Sequence, residues 1–413
     1  MDTTGDHRRL TRTIAAALAA AFVVRLLFAF FYWVDKPLTH DEVEYLSLAR
    51  NLADGHGFTY DTQAPGGPQP ERFGRAPLYP FVLSIVARVT TGATLVPAIK
   101  FAQAALGTLA VLLVALVAER SWNDRAAAWA AWIAALYAPL VWMPAYVLSE
   151  TLYTVLALAN VLALSRTCGG GPSGPRPKTS AALTGVLGGL ASLTRPAHLF
   201  FLLLTGVWLL WKRRAGWAVL VALGALAAIG PWTIRNYNAY GRFVLVASEG
   251  GITFWTGNHP LSPGEGDMAA NPAIKLDNQR LRAMYPGLTP EDLEPVYYRE
   301  AIATITANPG WWIGLEFRKL FYLVVPIGPS YMLHSRLFRL ASWISYGLLL
   351  PAGVAGLLML WRRGSGSAPL WLLLASAVLA CLIFLPQERF RIPVIDPVLI
   401  VGAAVLLARR GLS

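Results

Sequence analysis

The stretch 14-IAAALAAAFVVRLLFAFFYW-33 is apolar apart from Arg25 and is followed by 34-VDKPLTHDE-42. A helix needs about 20 predominantly apolar residues to cross the hydrocarbon core of a bilayer. The stretch therefore predicts a membrane-spanning helix, and the acidic pair Asp41-Glu42 follows where that helix leaves the membrane. A carboxylate pair at a bilayer boundary suits the base of a membrane-embedded transferase, so the sequence favours an enzyme.

The composition extends this prediction to the whole chain. Of its 413 residues, 55% are hydrophobic and 14% are charged, whereas a soluble domain carries about 25% charged residues. We therefore expect an all-α polytopic membrane protein with about ten transmembrane helices, interfacial helices and extracytoplasmic loops, and exclude a soluble α/β fold.

The net charge of +12 does not indicate a nucleic-acid partner. The basic residues form short clusters that cap apolar runs, as the positive-inside rule expects of cytoplasmic loops. These clusters are His7-Arg8-Arg9 with Arg12, Arg120 with Arg125, Arg176 with Lys178, Lys212-Arg213-Arg214, Arg362-Arg363 and Arg409-Arg410.

With these clusters inside, the predicted spans are 14–34, 96–118, 126–145, 150–166, 180–194, 198–211, 216–234, 338–361, 368–386 and 392–409. Residues 1–413 then form a single membrane-embedded domain with extracytoplasmic loops 35–95 and 235–337. The high Ala, Gly, Trp and Arg content suggests a bacterium of high genomic GC and hence its inner membrane.

Four further helices are predicted within the two loops. Asp41 to Leu52 has the pattern of an amphipathic interfacial helix, and Ala76 to Val89 is apolar but short. In the second loop we expect a helix from Glu291 to Asn308. An interfacial helix from Trp311 to Tyr322 would follow, anchored by aromatic side chains.

The predicted outer side gathers polar residues close to helix ends. A lone arginine there commonly snorkels to lipid headgroups, but several on one face beside a carboxylate pair indicate a site for a phosphate-bearing lipid. Besides Asp41 and Glu42, the candidate site residues are His40, Tyr45, Arg72, Arg75, Arg195, Arg235, Asn258, His259, Glu388, Arg389 and Arg391.

This set of residues suggests a mechanism. Arginines would neutralise the leaving phosphate of a polyprenyl-phosphate sugar, and Asp41 would deprotonate the acceptor hydroxyl, giving inversion at the anomeric carbon. Glu42 would orient the acceptor or pair with an arginine. In the alternative interpretation, Thr39 caps a helix and the acidic pair serves its first turn.

The sequence contains no compelling metal motif. His40 and His259 could bridge a divalent cation with a carboxylate, but no HxxxH or HExxH spacing supports such a site. Cys168 and Cys381 lie in a Gly/Pro-rich loop and in an apolar run, so we expect neither a disulfide nor a cysteine metal site.

A series of motifs runs in order along the chain. They are THDEVEYLSLARNL (39–52), APLYP (76–80), LTRP (193–196), PWTIRNY (231–237), GRF (241–243), WTGNHP (255–260) and ERFRIP (388–393). In this order they resemble the GT-C superfamily of membrane glycosyltransferases, in particular the protein O-mannosyltransferase and lipid A aminoarabinose transferase group.

The resemblance implies a polyprenyl-phosphate sugar donor and transfer to a protein, lipid or glycan hydroxyl on the extracytoplasmic face. It suggests Asp41 as the base with Glu42 as its companion, and arginines 195, 235 and 389 as lipid-phosphate contacts. It also implies that 76–90 is a juxtamembrane helix. Because the sequence ends at Ser413, after its last predicted helix, we expect no soluble carboxy-terminal domain.

Two other classes of protein remain as alternatives. A transporter or flippase of a lipid-linked saccharide would place charges through the bilayer midplane and have broken helices in paired halves, whereas this chain concentrates its polar groups at one boundary. A structural subunit of the cell envelope would leave the outer arginines and the acidic pair without a role.

Overall fold

The computed structural model describes residues 3–34, 36–60, 74–90, 92–168, 177–288, 292–363 and 365–409. These residues form helices and contain no strand. The first ten helices are α1 (Thr3–Leu27), α2 (His40–Ala53), α3 (Leu78–Val89), α4 (Leu95–Ser121), α5 (Asp124–Leu136), α6 (Ala138–Trp142), α7 (Glu150–Cys168), α8 (Pro177–Thr194), α9 (Leu199–Trp211) and α10 (Ala215–Tyr240). A π-helical turn at Phe28–Tyr32 continues α1.

The remaining helices run from the second predicted loop to the end of the described chain. They are α11 (Gly250–Gly257), α12 (Pro272–Ala283), α13 (Glu294–Ala307), α14 (Pro309–Val324), α15 (Pro329–Met332), α16 (Arg336–Arg363), α17 (Ala368–Ile383), α18 (Glu388–Arg391) and α19 (Ile395–Arg409). The all-helical prediction is therefore confirmed for the described residues.

Helices occupy all ten predicted spans, but the number of membrane crossings is not confirmed. Within the described residues, five helices are long and apolar enough to cross a membrane: Leu10–Tyr32, Gly92–Ser121, Glu150–Cys168, Ala215–Tyr240 and Arg336–Arg362. The pair Asp124–Leu136 and Ala138–Ala145, bent by 65°, would be a sixth. This bend has a local cause, because Pro139 lacks the N–H that would continue the hydrogen bonding of α5.

The predicted helices of the two loops are present with shifted ends. The predicted helix 291–308 occupies Glu294–Ala307, with Pro295 in its first turn, and Asn308 separates it from Pro309, which opens α14. Proline suits the first turn of a helix, where its missing N–H has no partner to lose. The helices predicted from Asp41 and Ala76 occupy α2 and α3, which pack together through edge-to-face contact of Tyr45 and Tyr79 at 4.9 Å.

Glu42 fixes the start of α2. Its carboxylate accepts the backbone N–H of Thr39 at 2.8 Å, and Thr39 Oγ1 accepts the N–H of Glu42, which completes a capping box. The other carboxylate oxygen accepts the N–H of Val147 at 2.8 Å. Glu42 thus joins α2 to the segment before α7, and its side chain is buried.

The carboxy-terminal helices pack at unusually close range. A Cβ at Gly356 of α16 would lie 1.7 Å from the carbonyl oxygen of Gly402 in α19, and a Cβ at Gly402 would lie 2.2 Å from the carbonyl of Gly353. Both distances are far inside van der Waals contact, so only glycine allows this approach. The short helix α18 directly precedes this closely packed pair's second helix, α19.

Gly356→Ala should destabilise the fold by about 1–3 kcal/mol, because the added methyl group must push α16 and α19 apart. The matched control is Gly347→Ala on the same helix, where a Cβ meets nothing within 4 Å. Thermal unfolding in detergent should show a lower Tm for Gly356→Ala alone. Equal melting of the two variants would contradict the packing.

Glu42→Ala should leave the N–H groups of Thr39 and Val147 without their acceptor. Each N–H group that water does not reach should destabilise the fold by about 1–3 kcal/mol. The control is His40→Ala, two residues away on α2, because the side chain of His40 is 85% exposed. We expect a lower Tm for Glu42→Ala and an unchanged one for His40→Ala. A Glu42→Ala protein as stable as the parent would show that Glu42 has no structural role.

Candidate functional site

One large cavity, of about 2040 Å³, opens between the two loop regions and the carboxy-terminal helices. Its wall combines the start of α2, the start of α7, the turn between α8 and α9, residues 243–256, helices α12 and α13, and the end of α17 with α18. Six of the predicted site residues line it: His40, Asp41, Tyr45, Arg75, Arg195 and Arg389. The structure thus brings together residues that are up to 349 positions apart in the sequence.

Asp41 is held between two arginines. Arg75 Nη2 donates to Asp41 Oδ1 at 2.6 Å, and Arg389 Nη1 donates to Oδ2 at 2.5 Å. Burial by itself would raise the pKa of Asp41, but the two guanidinium groups outweigh it and hold the pKa well below its usual range. Asp41 is consequently ionised throughout the neutral range and, in this pairing, is a weak base.

Arg75 is the most highly connected side chain of the cluster. Besides Asp41, its guanidinium contacts the carboxylate of Glu44, with an Nε–Oε2 distance of 2.7 Å, and lies 3.4 Å from that of Glu249. Its backbone N–H donates to the hydroxyl of Tyr60 at 3.0 Å. These carboxylates outweigh the cost of burial and raise the pKa of Arg75, so its positive charge is permanent.

Arg195 forms a second charged centre in the same cavity. Its Nη1 lies 2.7 Å from Oε1 of Glu150, the first residue of α7. Arg195 has an extended backbone because α8 ends at Thr194 and Pro196 follows. The guanidinium of Arg195 lies against the ring of Phe390, 4.7 Å from its centroid. Phe390 follows Arg389 in α18.

One part of the cavity wall is apolar. Helices α9 and α17 supply this part with six side chains: Leu199, Phe200, Leu203, Ala377, Ala380 and Phe384. Leu203 is 60% exposed. The cavity therefore joins a surface suited to an alkyl chain with a cationic surface suited to a phosphate.

Glu42 is engaged by the protein itself. Its carboxylate pairs with backbone N–H groups and with no arginine among the described residues, because the capping box and Val147 use both of its oxygens. It does not line the cavity. These contacts match the interpretation of Glu42 as part of a helix start, while Asp41 contacts the arginines.

Five other predicted site residues lie outside the cavity wall: Arg235, Asn258, His259, Glu388 and Arg391. Arg235 stacks on Trp232 at 4.8 Å and donates to Tyr240. Asn258 accepts from Lys319 and Trp312 and donates to the carbonyl of Ile383, so it ties the second loop to α14 and α17.

The other three also have partners within the protein. His259 lies 3.8 Å from Asp277, and Glu388 accepts from Ser342. Arg391 Nε donates to the buried Asp396 at 2.9 Å. The remaining predicted residue, Arg72, lies outside the described residues.

The two histidines proposed for a metal ion have separate neighbours. His40 is 3.4 Å from Glu44 and His259 contacts Asp277. The part of the chain that the structure describes contains no group of three or more His, Cys, Asp or Glu side chains arranged for a metal ion. A divalent cation at this site thus has no ready set of protein ligands here.

Three acidic residues of the cluster, Glu44, Glu150 and Glu249, are not among the site residues predicted from the sequence. Glu44 could have been found, because residues three apart share a helix face and Glu44 follows Asp41 at that spacing. Glu150 lies at the edge of an apolar run, and Glu249 lies in a Ser-Glu-Gly-Gly loop. Nothing local in the sequence separates these two from ordinary surface acids.

Comparison of the sequence with protein-family models and with curated proteins finds no match. Solved structures do match. The archaeal oligosaccharyltransferase AglB from Archaeoglobus fulgidus, in complex with an inhibitory peptide and a dolichol-phosphate, aligns with 96% of this chain at a TM-score of 0.59 and 17% identity. The apo form of the Archaeoglobus fulgidus oligosaccharyltransferase aligns with 96% at 0.57 and 18% identity.

The chain spans about half the length of this oligosaccharyltransferase, of which 50% is covered in both structures. ArnT from Cupriavidus metallidurans bound to undecaprenyl phosphate aligns with 99% of the chain at 17% identity, but at a TM-score of only 0.45. The fold assignment therefore depends on the oligosaccharyltransferase. The chain therefore shares the fold of this oligosaccharyltransferase, which agrees with the GT-C-like fold that its motifs predict.

Proposed function

We propose that this chain is a membrane glycosyltransferase that transfers a sugar from a polyprenyl-phosphate carrier to an extracytoplasmic acceptor hydroxyl. One observation carries the proposal: a single cavity joins an apolar wall to Arg195 and Arg389, and Arg389 contacts the ionised Asp41. An alkyl chain, a phosphate and a reacting hydroxyl each have a matching surface in it.

The donor would lie along the apolar wall with its phosphate at the arginines. Planar guanidinium groups bind phosphate oxygens in pairs and stabilise the charge that develops as the phosphate leaves. Attack by the acceptor from the opposite side would invert the anomeric carbon. The oligosaccharyltransferase with the same fold binds a dolichol-phosphate and a peptide, which supports a lipid-phosphate donor here but leaves the acceptor class open.

Asp41 would serve the donor site in either of two ways. It orders Arg75 and Arg389, the side chains nearest to it. As the base predicted from the sequence, it would act once a donor phosphate draws Arg389 away, which would return the pKa of Asp41 towards its usual range. Both roles require a carboxylate at this position.

Charge distribution supports a cavity on the extracytoplasmic side of a bacterial inner membrane. The basic clusters lie at one end of the apolar helices, and Asp41 and Arg195 lie at the opposite end. The alternative function, a transporter or flippase of a lipid-linked saccharide, would bind the same donor without breaking its anomeric bond.

Asp41→Asn should lower sugar transfer by roughly 100-fold or more, in the range of a lost acid–base or orienting group. The measurement is transfer of radiolabel from polyprenyl-phosphate sugars in membranes that contain the parent or variant protein. Asp54→Asn is the control, since Asp54 is an exposed residue at the carboxyl end of α2. Full transfer by Asp41→Asn would contradict the assignment, and donor binding without transfer by the parent would favour the transporter.

Arg195→Ala should weaken binding of polyprenyl phosphate by roughly 10- to 100-fold, the usual loss for a charge-assisted hydrogen bond. The measurement is equilibrium binding to the purified protein in detergent. Arg235→Ala is the control, because this arginine stacks on Trp232 outside the cavity wall. Equal affinities of the two variants would show that Arg195 does not contact the phosphate.

A further inference from the structure

The carboxylates of the cavity wall differ in how far they are already engaged. Among the described residues, five acidic side chains line the cavity: Asp41, Glu150, Glu249, Asp267 and Glu294. Asp41 has two arginines, and Glu150 is 2% exposed and pairs with Arg195. Asp267 accepts the backbone N–H of Ala269 at 2.9 Å and lies 3.8 Å from Arg389 Nη2, and Glu294 accepts the N–H of Gly251 at 3.1 Å.

Glu249 is the least engaged of the five. Its side chain is 43% exposed, which is more than the side chains of Asp41, Glu150 and Asp267. Its carboxylate lies 3.4 Å from Arg75. An acceptor hydroxyl inside the cavity can therefore reach this carboxylate without first breaking a short ion pair.

Glu249 also lies beside the charged cluster rather than at a distant part of the wall. Arg75 contacts Asp41 through Nη2 and Glu249 through Nε, so one guanidinium group separates the two carboxylates. The chain brings Glu249 there from the second loop, immediately before α11. At Gly74, next to Arg75, a Cβ would lie 3.4 Å from Glu249 Oε1, which shows how closely the two loops meet.

We propose that Glu249, rather than the Asp41 predicted from the sequence, is the general base that removes the proton of the acceptor hydroxyl. The inference rests on the proposed function and assigns a residue to its chemical step. The hydroxyl oxygen forms a bond to the anomeric carbon, the bond from that carbon to the phosphate oxygen breaks, and the phosphate leaves with the electron pair. The hydroxyl proton moves to the carboxylate of Glu249, and Asp41 keeps the arginines in place.

The electrostatic surroundings suit this role. Removal from bulk water raises the pKa of Glu249 to about 7, and Arg75 opposes the rise. Since the exposed part of the side chain faces the cavity, water in the cavity weakens the effect and a bound substrate strengthens it. The charged and titratable groups that face Glu249 are Arg75, Asp41, Glu44, Arg389, Tyr60 and Glu294.

A base of this pKa predicts a definite pH dependence. Below about pH 7 Glu249 is protonated and cannot accept the proton, so transfer should rise with pH through this region. Asp41, whose pKa is held well below its usual range, would produce no such limb near neutrality. The acidic limb of the rate profile therefore distinguishes the two carboxylates.

The experiment measures sugar transfer from a polyprenyl-phosphate sugar between about pH 5 and 9 for the parent, Glu249→Gln and Asp41→Asn. We expect Glu249→Gln to lose roughly 100-fold or more and to lack the acidic limb, the usual effect of removing a general base. The residual activity of Asp41→Asn should keep the limb. Glu300→Gln, an exposed change on α13, should behave as the parent.

A second measurement separates a base from a positioning residue. Formate or azide added to Glu249→Ala should restore part of the transfer, because a small anion can accept the proton in the space left by the side chain. Polyprenyl-phosphate binding to Glu249→Gln should equal that of the parent, since the donor phosphate site is intact.

Each contrary result has a distinct meaning. Transfer by Glu249→Gln within twofold of the parent, with the same acidic limb, would overturn the inference and leave the proposed function standing. Loss of the limb in Asp41→Asn with retention in Glu249→Gln would return the base to Asp41. Failure of the parent to transfer from any donor that it binds would overturn the proposed function and this inference together.

Discussion

The bridge from Arg75 through Asp41 to Arg389 is the interaction on which the candidate site depends. Asp41 lies in the first turn of α2, Arg75 precedes α3, and Arg389 lies in α18, between α17 and α19. A carboxylate withdrawn from water must be paired, because an isolated buried charge is costly. The requirement joins segments far apart in the chain and sets the geometry of the cavity wall.

The position of Arg389 in turn depends on backbone packing in the membrane part. Gly356 and Gly402 let α16 and α19 approach until their main chains touch, and α18 precedes this pair. Small residues commonly serve helix association in membranes, where apolar side chains gain little by leaving lipid. Ser342 of α16 also donates to Glu388 at the start of α18. A hydrogen bond thus links α18, which carries Arg389, to the closely packed helix α16.

The proposed function assigns different tasks to the charged groups of the cavity. Arg195 and Arg389 adjoin the apolar wall, where a lipid phosphate would lie, whereas Glu249 lies on the far side of Arg75 and remains open to the cavity. A short ion pair lowers the basicity of a carboxylate, and a long contact leaves more of it. The same cluster can consequently hold one carboxylate as a fixed anion and another as a proton acceptor.

The sequence by itself determined the all-helical fold, the ten helical stretches, helices α2, α3, α13 and α14, and six residues of the cavity wall. These follow from hydropathy, from charge at helix ends and from ordered motifs, all of which are local signals. Only the tertiary structure decided that Glu42 caps a helix, that Asn258 and Arg391 hold loops and helices together, and that Glu44, Glu150 and Glu249 join the site. Ion pairs between distant segments depend on how the helices pack, and adjacent acids such as Asp41 and Glu42 differ only in the directions in which the folded backbone points them.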